Sequence, residues 1–211
     1  MSRASTGLVA VSQRVDHVAG YDETRDALDQ RLAAWIAAAG LLAVPVPNGL
    51  VDPARGDTGH LQRWLDALPL CGVILSGGNN IGDEPARDTT ERTLLDWAQA
   101  RALPVLGICR GMQMMGTWAG ASLAPVEGHV RQVHHLRGEI AEAVNTYHDY
   151  ALASCPAGFR VLATAEDGVL EAIGHEQLPW EGWMWHPERD EAFAPWATRR
   201  MKELMTCAQS C

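Results

Sequence analysis

Residues 104–113 read PVLGICRGMQ. A short apolar run leads into Cys109, and glycines stand two positions to either side of it, at Gly107 and Gly111. The residues that follow, RGMQMMGTWAG, carry apolar positions at helical spacing. The pattern predicts a strand, a sharp turn and a helix, with glycine where a Cβ would obstruct the turn. Such a turn presents its central side chain at the top of a sheet. It also sets Cys109 at the start of a helix, where the dipole favours a thiolate. The first N–H groups of a helix have no acceptor inside it, so the Arg110 N–H is free to donate to a developing oxyanion. A bare glycine–x–cysteine–x–glycine reads equally well as a small buried cysteine at the end of a strand. Partner residues elsewhere have to decide.

Upstream of the turn, strand and helix signals alternate. GLVAVSQ is a short strand, residues 21–40 read as a helix with Leu28, Leu32, Trp35, Ile36 and Ala39 on one face, and LLAVPVP is a second strand. A helix carrying Leu61, Trp64, Leu65 and Leu68 precedes a third strand, CGVILSGG, and TTERTLLDWAQARA is a helix before the fourth. Downstream, short β-like runs lead to antiparallel strands around a turn at Asp167–Gly168, and residues 193–205 close the chain as a helix. The expected fold is an α/β sandwich. A mostly parallel central sheet has helices on both faces and an antiparallel extension, all in one domain over residues 1–211.

Composition narrows the function. Seventeen basic against 26 acidic residues give a net charge of −9, which disfavours non-specific binding to nucleic acid or an anionic membrane. Residues 35–46 are apolar but too few to span a bilayer, and they contain Pro45. GLVAV is soon followed by Gln13, Arg14 and Asp16, unlike a secretory segment. The five cysteines, Cys71, Cys109, Cys155, Cys207 and Cys211, are odd in number and have no zinc-like spacing. A reducing, cytoplasmic setting is expected. Eight tryptophans against two phenylalanines point to a tryptophan-rich core. His129, His134 and His135 in GHVRQVHH match no familiar ligand spacing, so neither a metal nor another cofactor is expected.

A cysteine nucleophile needs a general base and a group that orients it. GWMWHPERD supplies His186 and Glu188 late in the chain. At the end of a strand, residues two apart point the same way, and Pro187 stiffens the link between them. Alone, this segment also reads as a surface loop.

Together, LSGG at 75–78, GICRGMQ at 107–113, NTYHDYA at 145–151 and WHPER at 185–189 resemble the class I glutamine amidotransferase-like hydrolases, in particular the γ-glutamyl hydrolase branch. The resemblance implies a Cys109–His186–Glu188 triad that cleaves a γ-glutamyl amide through a γ-glutamyl thioester. It also implies an oxyanion hole from the N–H groups of Gly78 and Arg110. Gln113, Asn145, Tyr147 and His148 would hold the glutamyl head group, with Thr146 where serine is commoner. VSQR, YDETRDALD and ARDTTERTLLDWA, at 11–14, 21–29 and 86–98, sharpen the likeness toward the γ-glutamyl-CDP-amidate hydrolases of phosphoramidate capsule biosynthesis. A cytidine diphosphate conjugate would need local positive charge. Arg14, Arg25 and Arg87 are the candidates, with Arg110 and Arg131 behind them. The expected partner is therefore a small γ-glutamyl substrate, with no nucleic acid and no membrane, and a homodimer stays open. The alternatives are a γ-glutamyl-γ-aminobutyrate hydrolase and a glutaminase subunit feeding ammonia to a synthase.

Overall fold

The computed structural model describes residues 7–206; Cys207 and Cys211 lie outside them. In chain order the elements are β1 (Leu8–Ser12), β2 (Arg14–Val18), β3 (Glu23–Ala27), α1 (Gln30–Ala38), β4 (Leu42–Val46), α2 (Gly59–Asp66), β5 (Leu70–Leu75), α3 (Pro85–Ala100), β6 (Val105–Ile108), α4 (Arg110–Trp118) and β7 (Leu123–Pro125). They continue with β8 (Val130–His135), β9 (Arg137–Gly138), β10 (Ala143–Tyr147), β11 (Tyr150–Leu152), β12 (Phe159–Thr164), β13 (Leu170–His175), β14 (Trp180–Trp183) and α5 (Pro195–Thr206).

An eight-stranded sheet has the order β4-β1-β5-β6-β14-β13-β12-β9. The pairs from β4 through to β14 are parallel, and those from β14 to β9 are antiparallel. The expected parallel sheet with an antiparallel extension is the observed one. The central parallel strands β1, β5 and β6 are apolar on both sides because helices cover both sides. Val9, Val11 and Ile74 pack with Trp35, Ile36, Met201 and Met205, from α1 and α5. The alternate residues Ala10, Val73 and Leu75 pack with Leu61, Leu65, Leu94, Leu95 and Met112, from α2, α3 and α4. Trp35, Trp180, Trp183 and Trp185 are among the largest fully buried side chains. These four tryptophans are core, and truncating one to alanine would cost about 3–5 kcal/mol.

One helix is shorter than its sequence suggests. Residues 21–27 belong to a hairpin, in which β2 pairs antiparallel with β3, and only Gln30–Ala38 is helical. The turn uses left-handed backbone at Gly20 and Asp22, which favours glycine and tolerates aspartate. Asp29 then caps the helix by accepting from the Arg31 N–H at 2.8 Å. The polar face of residues 21–27 imitates a helix start, but the apolar stripe begins only at Leu32.

Candidate active site

Three adjacent parallel strands, β5, β6 and β14, end at the same edge of the sheet, and that edge carries the site, as in other open α/β sheets. β6 leads into Cys109, β5 into Ser76–Gly77–Gly78, and β14 toward His186. Cys109 has φ +52°, a strained backbone for a residue with a Cβ. Its N–H donates to the Trp183 carbonyl at 2.7 Å, which ties the turn to β14. Both flanking glycines are required by close approach. A Cβ on Gly107 would lie 2.6 Å from the Gly111 carbonyl carbon, and one on Gly111 would lie 2.3 Å from the Leu75 oxygen. The helix can therefore begin hard against the strands, with Cys109 as its N-terminal cap residue.

His186 and Glu188 are both buried. The His186 Nδ1 lies 2.6 Å from the Glu188 carboxylate, which leaves Nε2 for the cysteine side. The residues between are not extended, because Pro187–Arg189 forms a single 3₁₀ turn, and the carboxylate reaches the ring around that turn. Arg31, at the start of α1, holds the turn from outside by donating to the Glu188 carbonyl at 2.7 Å and to the Asp190 carbonyl. Burial works to lower the His186 pKa, but hydrogen bonds and charge from Cys109 and Glu188 outweigh it and raise the value to about 9. The imidazole is thus held as its cation beside the sulfur. Gly77 makes room for it, since a Cβ there would lie 2.6 Å from His186 Cε1.

The Ser76–Gly78 loop is held by Arg87, which is fully buried. Its guanidinium donates to the carbonyls of Ser76 at 2.8 Å, Gly77 at 3.0 Å and Gly78, and to Asn79 Oδ1 at 3.0 Å. In a trans peptide the C=O of one residue and the N–H of the next point in opposite directions. Gripping the Gly77 carbonyl therefore turns the Gly78 N–H away from Arg87. Glu91 anchors the system from below. One of its oxygens accepts from Ser12 at 2.8 Å and Arg87 at 3.1 Å, and the other from Arg110. Arg110 also pairs with Asp88. Burial alone would raise the Glu91 pKa, but the charges of Arg110 and Arg87 and the Ser12 hydroxyl hold it below the ordinary carboxylate range.

Gly78, Cys109, Arg110, Gln113, Tyr147, His148, His186 and Arg189 line one cavity of about 300 Å³, together with Asn79, Asn80, Asp83, Asp149 and Tyr150. Gln113 donates to the Tyr150 carbonyl at 2.8 Å, which leaves its own oxygen free to accept. Tyr147 sets its ring edge-on to His186, 5.9 Å between centroids.

Several expected roles change. Asn145 is expected to touch substrate but is spent on His186. It accepts from the His186 N–H at 3.0 Å and donates to the His186 carbonyl at 2.7 Å. His148 lines the cavity, yet its ring nitrogens face the Tyr150 carbonyl at 3.1 Å and Glu171 at 3.3 Å. Neither nitrogen is left for a head group. The guanidinium groups of Arg87 and Arg110 are committed inside the protein and cannot meet a diphosphate. Arg25 pairs with Glu23 on the outer hairpin and does not line the cavity. Arg131 sits on exposed β8, likewise away from it. Arg14 pairs with Asp16 at 2.9 Å and lines a small adjoining recess with Gly77, Gly78, His186 and Arg189. Arg189 was not foreseen. It lines both recesses and sits 4.7 Å from the centroid of the Tyr147 ring. Its place beside His-Pro-Glu was the available signal.

A model of the glutamine amidotransferase class-I family matches residues 46–192. The chain belongs to that family. Among curated proteins it is 30% identical over 124 residues to a γ-glutamyl-CDP-amidate hydrolase from Campylobacter jejuni, covering 56% of this chain and 62% of the relative. It is 31% identical over 154 residues to anthranilate synthase component 2 of Azospirillum brasilense, covering 67% of this chain and 76% of that one. The chain thus spans a little under two thirds of the first relative. Among solved structures, a glutamine amidotransferase from Thermotoga maritima superposes with a TM-score of 0.65 at 15% identity, covering 98% of this chain and 99% of the other. That likeness carries the fold. Class-I membership supports an enzyme of the glutamine- or γ-glutamyl-amide-hydrolysing kind. No described helix is long and apolar enough to cross a membrane.

Proposed function

We propose that this protein is a cysteine hydrolase of γ-glutamyl amides, with γ-glutamyl-CDP-amidate as its substrate and glutamate and cytidine diphosphoramidate as products. The observation that carries the reading is His186, buried with its Nδ1 2.6 Å from the Glu188 carboxylate and lining the same cavity as Cys109. His186 takes the proton from Cys109, or holds the pair as thiolate and imidazolium, and either way the sulfur is readied to attack. The sulfur adds to the γ-carbonyl, and the N–H groups of Gly78 and Arg110 receive the negative oxygen. His186 gives its proton to the leaving nitrogen as the C–N bond breaks, which leaves a γ-glutamyl thioester. Water then gives a proton to His186 as it attacks, and the thiolate departs.

The nucleotide part of the reading rests on the Campylobacter relative and on two arginines at the rim, Arg14 and Arg189, which are the ones left near the cavity. They replace the wider arginine set expected from sequence. The reading carries a cytoplasmic setting and a small-molecule partner, without nucleic acid or membrane. A second reading, a glutaminase subunit for a synthase, draws on the anthranilate synthase relative.

Glutamate release from γ-glutamyl-CDP-amidate, γ-glutamyl-γ-aminobutyrate and glutamine separates these readings. The proposal expects the nucleotide to be preferred by more than about tenfold in kcat/KM, roughly 1.4 kcal/mol in the barrier. It also expects Arg189→Ala to weaken that preference. A preference for glutamine that grows when a synthase partner is added would favour the second reading instead.

A further inference from the structure

A second buried polar cluster lies beside the cavity, on the antiparallel side. His129 precedes β8, His134 lies on it, His148 sits between β10 and β11, and Glu171 lies on β13. His129, His148 and Glu171 are buried and His134 is half-buried. The His148 Nδ1 faces the Tyr150 carbonyl at 3.1 Å. A carbonyl only accepts, so that nitrogen carries the proton. The Nε2 of a neutral His148 then turns its lone pair toward Glu171 Oε1, 3.3 Å away. His129 repeats the pattern. Its Nε2 meets the Asp167 carboxylate at 2.9 Å and its Nδ1 meets the same Glu171 oxygen at 3.1 Å; a neutral ring that donates to the more exposed Asp167 turns its Nδ1 lone pair toward Glu171. With both rings neutral in these tautomers, two lone pairs converge on one carboxylate oxygen, an arrangement that repels unless positive charge lies among them. Glu171 Oε2 and His134 Nε2 are buried atoms with no hydrogen-bond partner at all. Ligand atoms of His129, His134 and Glu171 fall within 4.8 Å of one another.

We propose that His129, His134 and Glu171, whose ligand atoms already lie together, bind one divalent transition-metal ion of the zinc type, with His148 turning in beside Glu171 as the fourth ligand. Imidazoles with one carboxylate suit such an ion. The 3.1 and 3.3 Å separations are close to the edge of a tetrahedron with bonds of about 2.0–2.1 Å, roughly 3.3 Å. The outer partners also fit, because metal-bound histidines donate their second N–H to a carboxylate or a backbone carbonyl, as Asp167 and Tyr150 accept here. Half-buried His134 gives the ion a way in. The ion would tie the β8–β10 pair, a separate two-stranded sheet, to β13 of the main sheet. That pair carries Asn145 and Tyr147, which border His186. Its role is to hold one wall of the cavity and not to touch substrate. Local spacing in GHVRQVHH hides the site, because Glu171 lies 42 residues from His129.

The test uses the full chain, stripped with a chelator and titrated with Zn²⁺ and Co²⁺. Metal content, thermal melting and the visible spectrum are read for the wild type and for His134→Gln, whose half-buried position lets it fold. The proposal expects about one zinc per chain, a melting temperature raised by several degrees and tetrahedral Co²⁺ bands. His134→Gln should weaken zinc by at least about 100-fold, since even an outer partner is worth 10–100-fold. Equal zinc binding by both proteins would overturn it, as would no binding and no melting shift in the wild type. So would nitrogen-15 spectra showing His129 and His148 doubly protonated in the presence of zinc, because two protons would then occupy the ion's place.

Discussion

Two buried polar networks flank the Cys109 cavity, and they are built on opposite logic. Under the Ser76–Gly78 loop, both oxygens of Glu91 meet guanidinium groups, and the charges of Arg87 and Arg110 are answered by Glu91 and Asp88. Across the cavity, Glu171 turns one oxygen to two imidazole nitrogens and the other to nothing. The first network pairs its charges within the protein, leaving the Arg110 Nε without an acceptor, and braces the Ser76–Gly78 loop. The second can set its donors toward Asp167 and the Tyr150 carbonyl and its lone pairs inward, the arrangement that the proposed cation requires. Buried charge is costly unless it is paired, so the same depth of burial forces different readings of the two clusters.

The sharpest way to break this contrast is to remove a carboxylate charge from each. Glu91→Gln leaves two buried cations facing a neutral amide and should cost about 3–5 kcal/mol in urea unfolding. Glu171→Gln in metal-stripped protein should cost less than about 1 kcal/mol, because the new amide can donate to the imidazole lone pairs. Equal losses would mean the two networks are alike. The same asymmetry has a pH signature. The Glu91 pKa is depressed in the folded state, so its contribution holds above the ordinary carboxyl range and is lost as the pH falls through it.

Next in size is the brace itself. Arg87→Lys keeps a positive charge but cannot reach three carbonyls at once. With the Gly78 N–H no longer aimed, kcat should fall about 10²-fold, comparable to losing an oxyanion donor, while KM changes little. Asn145→Ala should lower kcat about tenfold with KM unchanged, because Asn145 grips the His186 backbone from both sides. A rise in KM instead would return Asn145 to the head-group role expected from sequence. The smallest effect is on titration. His186 has its pKa raised to about 9 from an ordinary 6.5. Its stabilising share is therefore full below about pH 6.5 and lost as the pH rises through about 9. Cys109→Ser removes the sulfur's part of that shift, so the imidazole titration followed by NMR should move to lower pH.

The parallel half of the fold was legible because each strand is a short apolar run beside a turn signal, and because glycine spacing is forced where backbones meet. Gly107 and Gly111 are read correctly as close-approach positions from the motif alone, whereas the approach of His186 to Gly77 is not visible in LSGG. The hairpin of β2 and β3 was not, since its acidic residues look like the first turns of α1. The destination of a buried charge was also out of reach. Nothing local to Arg87 says that it will grip three carbonyls rather than a ligand, and nothing local to His129 says that Glu171 and Asp167 will arrive from β13 and the loop before it. Sequence shows which groups can do chemistry, but tertiary pairing decides which remain free to do it.

The central claim is that Cys109 attacks a γ-glutamyl carbonyl with His186 as its proton partner. Rapid-quench mass spectrometry of the wild-type protein turning over γ-glutamyl-CDP-amidate tests it directly. The account predicts a transient adduct of one glutamyl unit on the peptide containing Cys109, with no adduct and no glutamate release in Cys109→Ala. Full turnover with Cys109 never modified, or undiminished glutamate release by Cys109→Ala, would contradict it.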